Sequence, residues 1–226
     1  MAEFLKLAVF PVVLTLFCYQ IGLWIQKKLK SAVCNPILIA VVLILGFLAL
    51  TGLENSDYQT GTAYLSWLMT PATICLAIPM YQQLQILKKN LPAIFAGVAA
   101  GTVSSLGMVA GFAAIFGFDG ALTMSLLPKS VTSAIGVPLS ELAGGIGSIT
   151  TAAIILTGIF ANMAGRLFCK IFRLHDPIAQ GVAFGTAGHV VGTAKASELS
   201  ELTGAVSSLS LVVAGLITAV VFSVIA

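Results

Sequence analysis

Charge is scarce in this chain. Only 8% of its 226 residues are Asp, Glu, Lys or Arg, whereas soluble globular domains carry about 25% charged residues. Hydrophobic residues make up 58% of the sequence, and the mean hydropathy is +1.06. Apolar stretches of roughly 20 residues, the length with which a helix crosses a bilayer, recur throughout the chain. The composition therefore excludes a soluble domain and predicts an all-α, polytopic integral membrane protein.

Residues that build catalytic or metal sites are scarce as well. The chain has two histidines and shows no nucleophile elbow, His-Glu-x-x-His motif or phosphate loop. We therefore expect neither an enzyme nor a bound metal or cofactor. The net charge of +3 lies in short loops and does not indicate nucleic-acid binding. The cysteines lack C-x-x-C spacing and are interpreted as small membrane-helix hydrophobes: Cys18, Cys34, Cys75 and Cys169.

Eight apolar segments are predicted along the chain. The first is too long for the apolar part of a signal peptide, so we expect a membrane helix there. The third carries Pro71 and Pro79, which predict a kinked span, because proline removes a backbone donor. The fifth and seventh are polar, and the other five are expected to be plain helices. The segments cover residues 4–25, 35–52, 62–83, 91–116, 121–142, 147–168, 177–196 and 202–225.

The polar segments 121–142 and 177–196 are not typical lipid-facing helices. A charge at the bilayer centre costs roughly 2.5 to 3.5 kcal/mol even on the lenient insertion scale, yet these segments hold Lys129 and Lys195. Non-helical backbone at membrane depth is tolerated where it is buried in protein or lines water. We therefore predict discontinuous or re-entrant segments, and broken spans remain the alternative. The predicted breaks are at Pro128, Pro138, Gly185, Gly188 and Gly192.

Loop charges indicate how the segments cross. Basic and acidic loops alternate in the order Lys27, Lys28 and Lys30, then Glu54 and Asp57, then Lys88 and Lys89, then Asp119. By the positive-inside rule the N-terminus then lies outside. The next basic run, Arg166, Lys170 and Arg173, falls inside only if segment 121–142 enters and leaves on one face. We therefore expect one domain over 1–226 with about six spanning helices. Residues 1–90 would be peripheral helices, and 91–226 an inverted-repeat core with two opposed hairpins.

The polar residues of these two segments are candidates for binding a small anion. Lys129 and Lys195 supply positive charge, with Glu141 and Glu198 as the alternative ion-pair partners. His189 lies inside an apolar span, so it is a candidate for ligand binding and for proton coupling, with a structural role as the alternative. In a continuous helix Thr186, Thr193, His189 and Lys195 would converge. The hydroxyls that could bind a carboxylate are those of Ser130, Thr132, Thr186 and Thr193.

Several sequence blocks together resemble the LrgB/CidB family, over nearly the whole chain from Asn35 onward. The blocks Leu-Pro-Lys-Ser-Val-Thr at 127–132 and Gly-Thr-Ala-x-His-x-x-Gly-Thr-Ala at 185–194 are specific. The weaker blocks are Asn35-Pro36-Ile37-Leu38, Leu50-Thr51-Gly52, Pro71-Ala72-Thr73, Leu76-Ala77-Ile78-Pro79 and Gly144-Gly145-Ile146.

The resemblance implies a bacterial inner-membrane protein that works with a small holin-like LrgA/CidA partner. The family is known for antiholin-like control of murein hydrolase activity and lysis. Similar proteins are tied to transport of small carboxylates, namely pyruvate in bacteria and glycolate and glycerate across the plastid envelope. A distant relationship to cation/proton antiporter and bile-acid symporter folds is also implied. We therefore expect a transporter of small monocarboxylates, or alternatively a lysis regulator, with an organic anion, the bilayer, the LrgA-like protein and further copies of itself as partners.

Overall fold

The computed structural model describes residues 9–29 and 35–225, and within these ranges every regular element is a helix. Residues 4–8, Lys30 and Cys34, which carry parts of the predictions above, lie outside the described residues. The described helices are α1 (Val9–Leu29), α2 (Pro36–Thr51), α3 (Asn55–Gly61), α4 (Ala63–Trp67), α5 (Met69–Cys75), α6 (Ala77–Gln82), α7 (Leu84–Phe116), α8 (Gly120–Leu126), α9 (Ser133–Leu142), α10 (Gly147–Ile171), α11 (Pro177–Leu199) and α12 (Glu201–Ile225).

Helix length and composition confirm a polytopic, all-α membrane protein. Within residues 9–29 and 35–225, five stretches are long and apolar enough to cross a bilayer: α1, Ala63–Gln82, α7, α10 and α12. The shorter apolar helix α2 accompanies them. Several helices run past the predicted bounds, since α1 continues to Leu29 and α7 begins at Leu84 with Pro92 inside it. Hydropathy identifies only the part of a helix that lies in the hydrocarbon of the bilayer. The polar turns at the ends of a helix are therefore not predicted from hydropathy.

The chain divides into two compact units, Met1–Cys75 and Leu76–Ala226. In the first unit α1 packs against α2, where a Cβ on Gly22 would lie 2.6 Å from the carbonyl oxygen of Pro36. Asn35 caps α2, because its side-chain oxygen accepts hydrogen bonds from the backbone N–H groups of Ile37 and Leu38. Asn35 and Pro36 at the start of α2 therefore have a structural explanation in helix capping.

The proline-containing stretch 62–83 is interrupted twice. The helices α4, α5 and α6 are separated at Leu68 and Leu76, each three residues before a proline. Proline removes one backbone donor and its ring displaces the carbonyl of the preceding turn. The interruptions therefore lie where Pro71 and Pro79 weaken the helix.

In the second unit α11 is a helical hairpin. His189 has φ 42° and ψ −138°, which breaks the helix. The arm 190–199 returns along the arm 177–188, because a Cβ on Gly192 would lie 2.5 Å from the carbonyl oxygen of Phe184. Phe184 and Ala196 share one apolar cluster with residues at the base of both arms. The cluster consists of Cys169, Leu174, Phe184, Ala196 and Leu199.

The helices α8 and α9 form the other hairpin, with its turn at residues 127–132. Its base is closed where the backbone N–H of Ile146 donates to the hydroxyl of Ser125 at 2.7 Å. Near the turn, a Cβ on Gly136 would lie 3.2 Å from the carbonyl oxygen of Pro128. Both polar segments therefore fold back on themselves as helical hairpins.

The two hairpins enter from opposite ends of α10. The base of the first hairpin adjoins the start of α10 through Ile146, whereas the cluster at the base of the second includes Cys169 near its end. Both tips reach Ile154 of α10. The side chain of Ile154 adjoins Gly136 near the first tip, and the carbonyl oxygen of Ile154 is hydrogen-bonded to Nε2 of His189 in the second tip. On α7 the tips lie next to Gly101 and Ser105. The tips therefore meet beside the middle of both helices.

Candidate functional site

A cleft of about 610 Å³ lies where the hairpin tips approach α7 and α10. Aromatic side chains, among them Phe160, Phe168 and Phe184, line one part of it. Among its lining residues, all within the described ranges, Lys129 is the single charged one. The other polar lining side chains are hydroxyls: Ser104, Ser105, Ser130, Thr157 and Thr186.

The turn that carries Lys129 is fixed by its apolar neighbours. Leu127 and Val131 are buried, and Pro128 is fully buried between them. Leu127 belongs to an apolar cluster with Val109 of α7 and Phe222 of α12. Lys129 and Ser130, between these buried residues, are only partly buried and line the cleft.

The Lys129 ammonium has hydroxyl partners but no acidic one. Its Nζ atom lies 3.4 Å from Oγ of Ser105 and 3.5 Å from Oγ of Ser130, and the two hydroxyls are 2.9 Å apart. No carboxylate among the described residues lies within 4.0 Å of this Nζ, and Glu141 is exposed at the far end of α9. The Lys129–Glu141 pair is thus not formed. A half-buried charge without a counter-charge is costly, which favours an anionic ligand.

Thr186 borders both the cleft and a smaller cavity of about 10 Å³. Thr102 of α7 lines the smaller cavity too. Thr102 and Ser105 were not predictable from the sequence, because hydroxyls three residues apart in a helix rich in Gly and Ala are typical of helix packing as well.

His189 contacts protein and lines neither cavity. It is 5% exposed, and its Nε2 lies 3.0 Å from the carbonyl oxygen of Ile154. A carbonyl only accepts, so this nitrogen carries the proton and donates it. Gly158 leaves room for the ring, because a Cβ there would lie 2.6 Å from Cε1 of His189. The imidazole thereby ties the second tip to α10.

The other predicted binding residues lie away from the cleft. Thr193 shares a hydrogen bond of 2.8 Å with Ser207 of α12, and Lys195 forms an ion pair of 2.6 Å with Glu198. Thr132 is half-buried at the start of α9 and lines neither cavity. The structure therefore brings Lys129, Ser130 and Thr186 together. It does not bring Thr132, His189, Thr193 or Lys195 to them, because the break at His189 separates the two halves of the repeated motif.

The predicted helix breaks also differ from the observed one. The second hairpin turns at His189 rather than at Gly185, Gly188 or Gly192, which lie in helical backbone and face close neighbours. A Cβ on Gly188, for example, would lie 2.6 Å from Cβ of Ala161. In the first hairpin Pro128 lies in the turn, whereas Pro138 lies inside α9.

Two opposed hairpins that meet beside spanning helices, around a cleft with one unpaired lysine, define a polytopic membrane protein with discontinuous membrane segments. This chain belongs to the LrgB-like family, whose model matches residues 15–226. The antiholin-like protein LrgB of Bacillus subtilis (strain 168) is 37% identical over 216 residues, which are 95% of this chain and 94% of that protein. The antiholin-like LrgB proteins of Bacillus mycoides (strain KBAB4) and Bacillus cereus (strain B4264) are each 38% identical over 213 residues, or 94% of this chain and 93% of theirs. No solved structure matches the chain.

Proposed function

We propose that this protein carries small monocarboxylate anions, of the pyruvate, glycolate or glycerate type, across the bacterial inner membrane. The observation that carries the proposal is the half-buried ammonium of Lys129, which has two hydroxyl partners and no carboxylate partner among the described residues. An ammonium and hydroxyls are the donors that a carboxylate accepts from. A monovalent anion would neutralise the lysine without leaving a second charge in the protein.

In this proposal the cleft is open to one side of the membrane only. It extends from Lys129 towards Cys169 and Leu174, at the end of α10 that carries Arg166 and Lys170. By the positive-inside rule this end is cytoplasmic. On the other side of Lys129 the apolar cluster around Leu127 separates the cleft from the opposite face. We therefore interpret the structure as a carrier open to the cytoplasm, with an inverted-repeat core over residues 91–226 and its N-terminus outside.

Uptake into proteoliposomes tests the proposal. Wild-type protein is expected to take up labelled pyruvate or glycolate, and Lys129→Met is expected to lose at least about 90% of the rate, because about 1.4 kcal/mol of lost binding already costs tenfold. Lys89→Met is the matched control, since Lys89 is exposed near the start of α7. Equal uptake by the Lys129 variant removes this lysine from the mechanism. No uptake of any small acid by the wild type overturns the proposal.

Proton coupling through His189 remains part of the proposal and needs its own test. His189→Gln is expected to make uptake independent of an imposed pH gradient if the imidazole relays a proton. If the imidazole only ties the tip to Ile154, uptake falls but its dependence on the gradient remains.

The names of the relatives support a second candidate function, antiholin-like regulation of murein hydrolase activity with an LrgA-like partner. This function predicts that the Lys129→Met variant still alters autolysis in cells grown without small acids. If the effect on autolysis disappears together with uptake in that variant, regulation depends on transport. Co-purification with an LrgA-like protein, and cross-linking of copies of this chain, test the proposed partners.

A further inference from the structure

Two buried hydroxyls beside the cleft have no hydrogen-bond partner among the described residues. Thr102 is 4% exposed and Thr186 is 6% exposed, and neither Oγ1 atom is reached by a donor or acceptor of the protein. Leaving a buried hydroxyl unpaired is unfavourable, and native structures rarely do so without a reason. The pair therefore marks a place where an oxygen atom from outside the protein would be favourable.

The space next to these hydroxyls has the size of one such atom. The small cavity of about 10 Å³ is lined by both threonines, and this is about the room that one water-sized group needs. The other hydroxyls around it are satisfied, since Ser105 bonds Ser130 and Thr218 donates to the carbonyl oxygen of Ala214. Only the two threonines are left to bind an occupant.

The small cavity and the cleft that contains Lys129 share lining residues. Ser105 and Ser130, the hydroxyl partners of Lys129, line the small cavity, and Thr186 lines the cleft as well. A ligand held by Lys129 and Ser130 would therefore border the small cavity that Thr102 and Thr186 line. A short anion with one further oxygen could use both places at once.

We propose that Thr102 and Thr186 form a subsite for one oxygen on the carbon next to the carboxylate, while Lys129 and Ser130 hold the carboxylate itself. The inference rests on the proposed transport of monocarboxylates and deepens it. It assigns specificity to two threonines, and it selects short acids with a hydroxyl or keto oxygen at that carbon. An acid without this oxygen leaves both threonines unpaired when it binds, and sites built to bond a ligand hydroxyl reject such analogues strongly.

Competition between matched acids tests the subsite in proteoliposomes. Glycolate differs from acetate, and lactate from propionate, by one hydroxyl. Against uptake of labelled pyruvate, we expect wild-type inhibition constants for glycolate and lactate that are at least ~10-fold lower than those for acetate and propionate. Pyruvate is expected to rank with the hydroxy acids, because a keto oxygen accepts from both threonines.

Thr102→Val and Thr186→Val keep the side-chain shape and remove the hydroxyl. Each is expected to reduce the preference for glycolate over acetate at least ~2-fold, because one of the two hydrogen bonds to the ligand oxygen is lost. Each is also expected to raise the melting temperature in detergent, because an unpaired buried hydroxyl is removed. The control is Thr151→Val, whose hydroxyl donates to the carbonyl oxygen of Gly147 at 2.8 Å outside both cavities. It is expected to keep the wild-type ratio.

The outcomes separate the two proposals. Equal inhibition by glycolate and acetate in the wild type overturns the subsite, and an unchanged ratio in both valine variants overturns its assignment to these threonines. Absence of any acid uptake overturns the transport proposal. In that case, thermal shift of the purified protein by glycolate against acetate decides whether the subsite exists. A larger shift by glycolate that both valine variants abolish supports it, and equal shifts overturn it.

Discussion

At the scale of single residues, Lys129 stands out because its position costs stability. Its ammonium is half-buried and has no acidic partner among the residues described. Such a group is expected in a protein that gains something from it other than folding, because functional sites retain locally unfavourable residues. The same argument applies to the unpaired hydroxyls of Thr102 and Thr186.

Lys129→Met is therefore expected to stabilise the protein while it abolishes uptake. Methionine replaces the aliphatic stem and removes the uncompensated charge, so the free energy of unfolding should rise by about 1–3 kcal/mol. Thermal unfolding in detergent measures this change. A lower melting temperature would contradict the interpretation and assign the lysine a structural role.

Gly158 offers a second residue-scale prediction. Alanine at this position would place its Cβ 2.6 Å from the imidazole of His189, so the second hairpin tip has to shift. We expect a loss of about 1–3 kcal/mol of stability and a marked loss of uptake. Gly107→Ala is the matched control on α7, because its Cβ would meet no atom within 4 Å. That change is expected to be neutral or to stabilise the helix by up to about 1 kcal/mol.

At the scale of elements, the sequence predicted two discontinuous or re-entrant segments but not their geometry. Proline, lysine and serine inside an apolar run indicate a segment that cannot face lipid. The loop charges indicate that segment 121–142 enters and leaves the membrane on the same face. The turn of the second hairpin was not predictable, because three glycines adjoin it and yet His189, a non-glycine residue with positive φ, occupies it. The repeated Gly-Thr-Ala motif predicted one shared face, whereas its two copies lie on opposite arms of the hairpin.

The candidate site was predicted only in part for a related reason. Lys129, Ser130 and Thr186 were identifiable because they are polar residues in unusual segments. Thr102 and Ser105 lie in α7, whose composition is that of a normal spanning helix. Their role depends on which segments pack against them, and this information is in the tertiary structure rather than in local sequence.

The hairpins themselves can be tested by thiol labelling from each side of the membrane. In a protein whose native cysteines are replaced by alanine, Asp176→Cys and Ser200→Cys flank the second hairpin, and Phe118→Cys and Ala143→Cys flank the first. A membrane-impermeant reagent is expected to label both members of a pair from one face, and the two pairs from opposite faces. Labelling of Asp176→Cys and Ser200→Cys from different faces would show a full crossing instead.

At the scale of the whole molecule, the two compact units differ in what they hold. The unit Leu76–Ala226 contains both hairpins, the cleft and every residue of the candidate site. The unit Met1–Cys75 consists, in its described part, of α1 to α5, and all lining residues of the cleft belong to the unit Leu76–Ala226. We therefore expect substitutions that alter substrate preference to fall in the second unit, which a selection for growth on different small acids would reveal.

Both hairpin tips contact the same residue, Ile154, one through its side chain and the other through its backbone oxygen. In the proposed carrier, withdrawal of one tip would move the support on which the other rests, which would link the movements of the two tips. A protein built in this way would exchange its cargo one molecule at a time and would pass no steady ionic current in a planar bilayer. A cell could then keep many copies in its membrane without discharging its membrane potential, which is the opposite of what a lytic pore does.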